Sequence, residues 1–240
     1  MKEVRFFYTL DAANMSELPE EEAQHAVRVL RMNSGDDMML MDGKGTFYKA
    51  VITEATKKRC FYRIEEVVPQ KRQWLPHLHL VVAPTKNMDR MEWLAEKATE
   101  IGFDELTFLK CRWSERTAIK TERIDKILVS AMKQSHKAWK PTLNEMTDFN
   151  AFMKKVQNED TQKFICHCHD DEIGEKRHLK DVIERGKDAI VMVGPEGDFS
   201  MDEVKLAISQ GFQCVSLGQS RLRTETAALV AVHLMNLANQ

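Results

Sequence analysis

The sequence predicts an α/β protein in two parts: a small β-rich domain over residues 1–72 and an α/β domain with a mainly parallel sheet over residues 73–240. Short strand patterns follow one another closely before residue 70, which is typical of a compact β domain. After residue 77, apolar runs alternate with helical patterns, as in a parallel sheet covered by helices. Residues 69–74 are polar and show neither period, so the boundary is placed there.

The amino-terminal part is predicted to consist of strands and one short helix. Residues 5–9 predict a first strand, and Pro19 followed by three glutamates predicts the first turn of a helix. Asp42 and Gly43 form the turn signal of a hairpin. Three further strands are predicted at residues 38–41, 46–53 and 59–67. So many short strands in so few residues favour a compact barrel.

The second part is predicted to alternate strands and helices. Residues 78–83 form a buried strand, and apolar side chains at helical spacing, with Trp93 in the core, predict a helix that Gly102 ends. Further strands are predicted at residues 106–109, near 143 and at 163–168, and helices at 121–137 and 179–185. The last helix, residues 224–238, is apolar nearly all round, so it is expected to be buried in the core or against a second subunit.

Two similar junctions between a strand and a helix carry the clearest functional signal. In the first, the apolar strand 190–193 runs into the loop Gly194-Pro195-Glu196-Gly197. Its glycines are expected to allow positive φ and to let a ligand approach bare backbone. Ser200 and Glu203 form a capping box that starts the following helix, residues 201–210.

The second junction repeats the plan of the first. The strand 215–217 runs into Gly218, and Thr224 is the expected N-cap of the last helix. A single junction of this kind is usually only a connection. Two together form a ligand crevice at the carboxyl edge of a sheet, and charged residues lie within both loops. Neither loop matches a phosphate-binding loop or a dinucleotide fingerprint.

Composition narrows the class of protein. The formal net charge is −2, but residues 110–140 hold nine Lys and Arg against three Asp and Glu. Such a patch can hold RNA phosphates, or it can be a solvated helix surface. Five scattered cysteines indicate reduced thiols in a cytosol. No apolar run approaches the roughly 20 residues that span a membrane, and the first residues lack the apolar core of a signal peptide.

The run Cys166-His167-Cys168-His169 resembles a set of metal ligands. In a strand, however, the cysteines face one side and the histidines the other, so the four side chains do not converge. The sequence contains no second Cys/His pair at zinc spacing. We therefore predict no metal site, and we expect this strand end to border the ligand crevice.

The sequence resembles a known family at these two junctions. The runs Gly194-Pro195-Glu196-Gly197-Asp198-Phe199-Ser200 and Leu217-Gly218-x-x-x-Leu222-Arg223-Thr224-Glu225-Thr226-Ala227 are similar to motifs of the RsmE family. The amino-terminal block His25-x-x-x-Val29-Leu30-Arg31-x-x-x-Gly35-Asp36 resembles that family's first signature. Members are SPOUT-class, S-adenosylmethionine-dependent methyltransferases that act on N3 of a uridine in 16S ribosomal RNA.

The resemblance implies more than the residue patterns alone. Residues 1–72 would be a PUA-like β-barrel that binds RNA, and residues 73–240 a SPOUT methyltransferase domain with a deep trefoil knot. The partners would be 16S ribosomal RNA within the 30S subunit and a second copy of the chain in a cytoplasmic homodimer, without a membrane or a metal ion.

The resemblance and the residue types together predict the site. The predicted residues of the S-adenosylmethionine site are Cys168, His169, Gly194, Pro195, Glu196, Gly197, Leu217, Gly218, Ser220, Arg221, Leu222 and Thr226. The predicted RNA contacts are Arg28, Arg31, Lys97, Arg112, Arg116, Gln134 and Lys137. Arg223 is expected to stabilise the developing uridine anion or to hold a phosphate, with Glu196 or Glu225 as the base or an orienting partner. The alternative for Glu225 is a buried ion pair that braces the fold.

Two residues depart from the family pattern. Asp198 stands where many members have glycine, which adds a carboxylate near the donor pocket. Lys137 stands where an arginine commonly follows Gln134-Ser135, and lysine keeps the charge but lacks the bidentate fork. Two other functions stay open, namely methylation of another ribosomal or transfer RNA site and a catalytically silent RNA-binding assembly factor. The retained glycine loops argue against the silent factor, and the His25–Asp36 block argues against another RNA site.

Overall fold

The structure, a computed structural model, describes residues 4–169 and 174–240, and the chain divides into two compact units. Unit 1 comprises residues 1–72 and 129–140, and unit 2 comprises residues 73–128 and 141–240. The segment 129–140 thus groups with the amino-terminal residues, although it lies well beyond residue 72. The sequence of this segment continues the amphipathic pattern of the helix predicted at residues 121–137. Nothing in that pattern indicates that the helix passes from one unit to the other.

A four-stranded sheet forms the centre of unit 1, in the order β1-β2-β3-β4. The strands are β1 (Phe6–Tyr8), β2 (Asp37–Met41), β3 (Thr46–Ala55) and β4 (Cys60–Pro69). β1 and β2 run parallel, and the other two pairs are antiparallel, as in a meander. The edge of β4 that does not face β3 is hydrogen-bonded to a loop that precedes it in the sequence. Leu18 N donates to Cys60 O, and Tyr62 N donates to Ser16 O. This loop protects the edge strand.

The helical part of unit 1 has two pieces. α1 (Glu20–Gln24) follows Pro19 and continues into a π-helical turn, His25–Val29. The segment 129–140 adds Met132, which is fully buried in a cluster with Met41 and Phe47. The Trp139 ring lies against Gly45, where a Cβ would come within 2.5 Å of it. Glycine is therefore required at that position.

Unit 2 is built on a seven-stranded sheet in the order β7-β6-β5-β10-β8-β11-β9, and every pair of neighbours is parallel. The strands are β5 (Leu78–Val82), β6 (Glu105–Lys110), β7 (Thr142–Asp148), β8 (Gln162–Cys166), β9 (Arg177–His178), β10 (Ala189–Val193) and β11 (Gln213–Ser216). β5 and β10 are buried along their whole length, which agrees with their continuous apolar sequences.

Helices cover both faces of this sheet. They are α2 (Met88–Ile101), α3 (Thr121–Ser135, whose last turns belong to unit 1), α4 (Phe149–Val156), α5 (Met201–Ser209) and α6 (Thr224–Leu237). On one face Leu80 of β5 shares a core with Met91 of α2 and Met235 of α6. On the other face Val81 shares a core with Phe152 of α4 and Val204 of α5. Consecutive residues of β5 thus serve opposite layers.

Two predicted elements differ from the structure. The helix expected at residues 179–185 is only a 3₁₀ turn, Leu179–Asp181, and the Gln162 side chain bonds to the backbone just beyond it. Its Oε1 accepts from Glu184 N at 2.7 Å, and its Nε2 donates to Glu184 O at 3.0 Å. The helix α4 was not predicted. Its buried side chains at helical spacing could have revealed it, and they are Phe149, Phe152, Met153 and Val156.

Burial also differs from expectation at two positions. Trp93 was predicted to lie in the core, but it is 42% exposed on α2. The last helix buries Ala228, Ala231 and Met235, whereas Leu237 at its end is 51% exposed. No helix in the described part of the chain is both long enough and apolar enough to cross a membrane.

Replacing Gly102 is expected to destabilise unit 2. Gly102 ends α2 with φ +119°, and a Cβ there would lie 2.5 Å from the ring of Trp74. The ring is held in place, since its Nε1 donates to Asp104 Oδ2 at 2.7 Å. Backbone strain and overpacking together predict that Gly102→Ala lowers the free energy of unfolding by about 2–4 kcal/mol. Chemical unfolding measures this loss.

The control for this substitution is Gly211→Ala. Gly211 also has a positive φ, +86°, but nothing lies within 4 Å of its would-be Cβ. Gly211→Ala should therefore introduce backbone strain without a steric clash, and it should lower the free energy of unfolding by about 1–2 kcal/mol. Equal losses for the two variants would contradict the steric argument at Gly102.

Histidines and a glutamate cluster at the amino ends of β5 and β6. The His77 Nε2 lies 2.8 Å from Glu105 Oε2, and the His79 Nε2 lies 2.8 Å from Thr107 Oγ1. His79 is only 4% exposed, and burial lowers its pKa to about 4. The hydrogen bond from His77 lowers the pKa of Glu105 to about 2 and raises the pKa of His77.

Lowering the pH is expected to destabilise the fold through His79. The unfolded chain takes up a proton on this histidine near pH 6.5, while the folded chain excludes it down to about pH 4. Above pH 6.5 the buried neutral His79 does not lower the free energy of unfolding. As the pH falls from 6.5 toward 4, the free energy of unfolding decreases by about 2–3 kcal/mol, because only the unfolded chain binds the proton. His77 acts in the opposite direction, since its raised pKa favours the folded state at low pH. Between pH 7 and 4.5 we expect the free energy of unfolding, measured by chemical unfolding, to fall less for His79→Gln than for the wild type. Equal decreases in the two proteins would show that His79 does not cause the loss of stability at low pH.

Candidate active site

The predicted donor residues meet at the carboxyl edge of the sheet in unit 2. β10, β8 and β11 are neighbours, with Val193 paired to Cys166 and Cys166 paired to Val215. Because the strands are parallel, the loops 167–169, 194–200 and 217–223 all leave the sheet at this edge. The sheet order therefore brings together residues that lie far apart in the sequence.

The glycines of the loop 194–200 lack the positive φ that was predicted for them. Neither Gly194 nor Gly197 has a positive φ. A Cβ on Gly194 would meet the Phe199 ring at 3.0 Å, and a Cβ on Gly197 would lie 3.1 Å from Trp113 Cβ. Both glycines thus lie in close contact with neighbouring side chains, where an added Cβ would require a small shift. The residue of this loop with a positive φ is Asp198, at 64°.

Asp198 joins two of the three loops. Its Oδ2 accepts a hydrogen bond from Cys168 N at 2.7 Å, and its Oδ1 accepts one from Phe199 N at 2.8 Å. The His169 Nε2 lies 3.7 Å from Asp198 Oδ2 and 2.7 Å from Phe199 O. The carboxylate that replaces the common family glycine therefore braces the loop after β10 against the loop after β8.

Glu196 and Arg116 hold the loop that follows β5. Lys86 N donates to Glu196 Oε1 at 2.9 Å. The Arg116 guanidinium donates to Lys86 O at 2.6 Å and to Thr85 O at 3.3 Å. One oxygen of the Glu196 carboxylate is thus engaged in fixing a neighbouring loop, and the guanidinium predicted to contact RNA bonds to backbone carbonyls.

The second glycine loop is open. Gly218 has φ +123°, and nothing lies within 4 Å of a Cβ built on it. Arg221 and Arg223 are exposed, and within residues 4–169 and 174–240 neither makes a side-chain hydrogen bond or an ion pair. The N-cap of α6 is Arg223 and not Thr224, because Arg223 has an extended backbone and Ala227 N donates to its carbonyl oxygen. The predicted catalytic arginine therefore stands at the start of α6.

Glu225 lies in the first turn of α6 and is only 7% exposed. Its Oε1 lies 3.6 Å from the Nε of Arg90 on α2. Its Oε2 is buried and has no hydrogen-bond partner in the described part of the protein. A buried carboxylate oxygen is costly unless it is hydrogen-bonded. Arg90 was not predicted, since no local pattern links it to a residue so distant in the sequence.

The remaining predicted donor residues lie in the loops at this edge or in the first turn of α6. Cys168 is exposed, and Leu217, Leu222 and Thr226 are half-buried. Ser220 is exposed, while Pro195 is buried behind the loop. Within the described ranges, no group of three or more His, Cys, Asp and Glu side chains is arranged to hold a metal ion.

Two predicted RNA contacts of unit 2 besides Arg116 also have protein partners. The Lys97 Nζ lies 2.7 Å from Glu96 Oε1 and 2.8 Å from Glu100 Oε1, so its charge is compensated. The Arg112 guanidinium carbon lies 5.1 Å from the centre of the Trp113 ring, and its Nη1 lies 3.6 Å from Asp202 Oδ2.

The other predicted RNA contacts belong to unit 1. Arg28 Nε donates to Lys57 O at 3.0 Å, and Arg31 is exposed with φ 56°. Gln134 is exposed. Lys137 is half-buried, and this burial lowers its pKa. All four therefore lie within one compact unit, although they come from two separate parts of the chain.

Known protein families match both parts of the chain. The RNA methyltransferase domain family matches residues 72–236, and the RNA methyltransferase PUA domain family matches residues 18–65. A Synechocystis protein named ribosomal RNA small subunit methyltransferase E is 31% identical over 214 residues, which cover 87% of this chain and 68% of that protein.

Solved structures of similar proteins share the fold. A probable rRNA-methyltransferase from Porphyromonas gingivalis is 39% identical, with a TM-score of 0.91 over 98% of both chains. A ribosomal RNA small subunit methyltransferase E from Neisseria gonorrhoeae, bound to S-adenosyl methionine, is 26% identical, with a TM-score of 0.85 over 98% of both chains. The family resemblance inferred from the glycine loops is thereby confirmed.

Proposed function

The chain belongs to the RNA methyltransferase family and is an S-adenosylmethionine-dependent RNA methyltransferase, and from this premise we propose that it methylates N3 of a uridine in 16S ribosomal RNA. The proposed target is uridine 1498, and the proposed substrate is the small ribosomal subunit. The names of the similar proteins support an rRNA substrate, and the resemblance of the two glycine loops supports the choice of uridine N3.

The observation that carries the proposal is the buried Glu225 carboxylate beside Arg223. Its Oε2 has no partner in the described part of the protein, and it lies at the same sheet edge as the predicted donor loops. Uridine N3 carries a proton that must leave before or during methyl transfer. A buried carboxylate with one unengaged oxygen suits the acceptance of that proton or of a hydrogen bond from it.

Arg223 has the complementary role in this proposal. As N3 loses its proton, negative charge spreads onto the carbonyl oxygens of the uracil ring. An exposed guanidinium at the start of α6, without a partner in the described residues, can bond to one of these oxygens. Glu196 is assigned an orienting role, because its Oε1 already accepts from Lys86 N.

The residues at the sheet edge fit S-adenosylmethionine. It supplies the methyl group when bound. Gly218 offers bare backbone with open space around its α-carbon, and Leu217 and Leu222 are half-buried apolar side chains beside it. Cys168, His169 and the loop 194–197 complete the proposed site. Its remaining proposed members are Ser220, Arg221 and Thr226.

The proposal extends to the assembly of the enzyme. Unit 1 would bind RNA as a PUA-like domain through Arg28, Arg31, Gln134 and Lys137. Lys97, Arg112 and Arg116 would contribute from unit 2. The chain would form a cytoplasmic homodimer around a deep trefoil knot, as the family resemblance implies. The end of α6 is consistent with a subunit contact, since Leu237 there is 51% exposed.

Methyl transfer to unmodified small ribosomal subunits tests the proposal. The enzyme is incubated with labelled S-adenosylmethionine, and the labelled nucleoside is identified after digestion. We expect N3-methyluridine in the 16S RNA. Transfer to a different RNA or base would overturn the uridine assignment, and donor binding without any transfer to ribosomal RNA would point to another RNA substrate. The absence of both would favour an RNA-binding assembly factor.

A further inference from the structure

An exposed aromatic ring stands against the loop 194–200. Trp113 is 53% exposed, and its Cβ lies 3.1 Å from where a Cβ would stand on Gly197. The exposed part of the indole offers a flat surface to a planar partner. No catalytic or donor role has been assigned to this residue.

The loop that carries Trp113 is held rigidly. Cys111 N donates to Ser114 Oγ at 2.9 Å, and Ser114 N donates to Cys111 O at 3.1 Å, which closes a turn with Trp113 at its tip. Arg112 N donates to Glu203 Oε1 at 2.8 Å. The ring is therefore presented by a fixed turn and is available without rearrangement.

Glu203 links this turn to the loop 194–200. Its Oε2 accepts from both Ser200 N and Ser200 Oγ at 2.8 Å, while its Oε1 holds Arg112 N. One carboxylate thus caps α5 and fixes the turn of Trp113. The position of the ring is coupled to the position of the loop that forms the proposed donor site.

An arginine lies beside the ring. The Arg112 guanidinium carbon lies 5.1 Å from the ring centre, and its Nη1 lies 3.6 Å from Asp202 Oδ2 in an exposed ion pair. Residues 110–123 hold five Lys and Arg, compared with two Asp and Glu. Aromatic rings stack on single-stranded bases, and neighbouring guanidinium groups attract the phosphates. The ring and its charges together match a nucleotide of single-stranded RNA.

We propose that Trp113 is a stacking platform for an RNA base next to the target uridine, with Arg112 holding the adjoining phosphate. The inference rests on the proposed function, since it takes an RNA strand as the substrate. The platform would hold the flanking nucleotide at the edge where Gly197 lies, and so would position the strand for reaction.

Substitution of the ring tests the platform. The probe is a short single-stranded RNA with one central uridine, and its Kd is measured by fluorescence anisotropy. We expect Trp113→Leu to raise this Kd by about 5- to 100-fold, because it removes the stacking surface but keeps an apolar side chain over Gly197. Trp113→Phe keeps a ring and should stay within about threefold of the wild type. Trp93→Ala, which removes an exposed tryptophan from α2, is the control and should leave the Kd unchanged.

Abasic RNA makes the test specific for stacking. Two further probes lack the base on the 5′ side or on the 3′ side of the uridine. The effect of Trp113→Leu should disappear with one of them. Equal effects with all three probes, or no effect with any, would overturn the platform. A changed oligomeric state of Trp113→Leu in sedimentation velocity would also overturn it, because the ring would then be a subunit contact.

The test of the Trp113 platform can be distinguished from the test of the proposed methyltransferase function. Donor affinity, measured by calorimetry, should stay within about twofold in both Trp113 variants, and a large loss in it would refute a role confined to RNA. Lack of methyl transfer by the wild-type enzyme would refute the proposed function, yet the binding measurements with the three RNA probes would still decide the role of the ring.

Discussion

Arg223→Ala is expected to lower kcat for methyl transfer by about 10²- to 10³-fold. The reason is that the guanidinium is proposed to stabilise negative charge that develops on the uracil ring only as N3 loses its proton. The side chain is exposed and makes no side-chain hydrogen bond or ion pair in the described residues, so its removal should change the free energy of unfolding by less than about 0.5 kcal/mol. Single-turnover rates with saturating donor and RNA measure the effect.

Two companion variants sharpen this test. Arg185→Ala removes another exposed arginine of unit 2, and it should retain full activity. Arg223→Lys keeps the charge but lacks the planar fork, and it should recover part of the rate. Normal turnover of Arg223→Ala would remove the residue from the catalytic step. A rise in KM for RNA at constant kcat would instead identify Arg223 as a phosphate contact.

Glu225→Gln is expected to lower kcat by about 10²- to 10³-fold while preserving the shape of the side chain. The substitution removes the carboxylate that is proposed to accept the N3 proton. The loss of rate should grow smaller at high pH, where solvent removes the proton more readily. Measurement of kcat between pH 6 and 9.5 tests this dependence.

The alternative role of Glu225 is to brace the fold through Arg90, and Glu92→Gln is the matched control for it. Glu92 also lies on α2 and pairs with Arg123, with 2.6 Å between Arg123 Nε and Glu92 Oε1. Each variant replaces the carboxylate that pairs with an arginine of unit 2 by a neutral amide. Only Glu225→Gln should change the pH profile. If both variants lower stability equally and leave the rate per folded enzyme unchanged, Glu225 is a structural residue.

Local signals predicted the elements around the site well. The capping box of Ser200 and Glu203 is confirmed, with Ser200 N bonded to Glu203 Oε2 at 2.8 Å. Gly102 and Gly211 lie where α2 and α5 end, as expected. Each of these features depends on residues a few positions apart, which is the range over which sequence patterns are informative.

Predictions failed where distant residues decide the conformation. At the end of the segment 179–185, the distant Gln162 side chain bonds to the N and O of Glu184 in place of helical partners. Gly194 and Gly197 were expected to have positive φ, but they do not, and the side chains of Phe199 and Trp113 pack closely against them. The pair of Glu225 and Arg90 had no sequence signal either, since the two residues meet only through the packing of α6 near α2.

The discontinuity of unit 1 has a consequence for biosynthesis. Its amino-terminal strands leave the ribosome long before residues 129–140, which carry Met132 and Trp139. Until those residues have been translated, the apolar surface around Met41 and Phe47 lacks part of its cover. Unit 1 therefore completes its folding only after more than half of the chain has been made, and an expressed fragment ending at residue 72 would leave that surface incompletely covered.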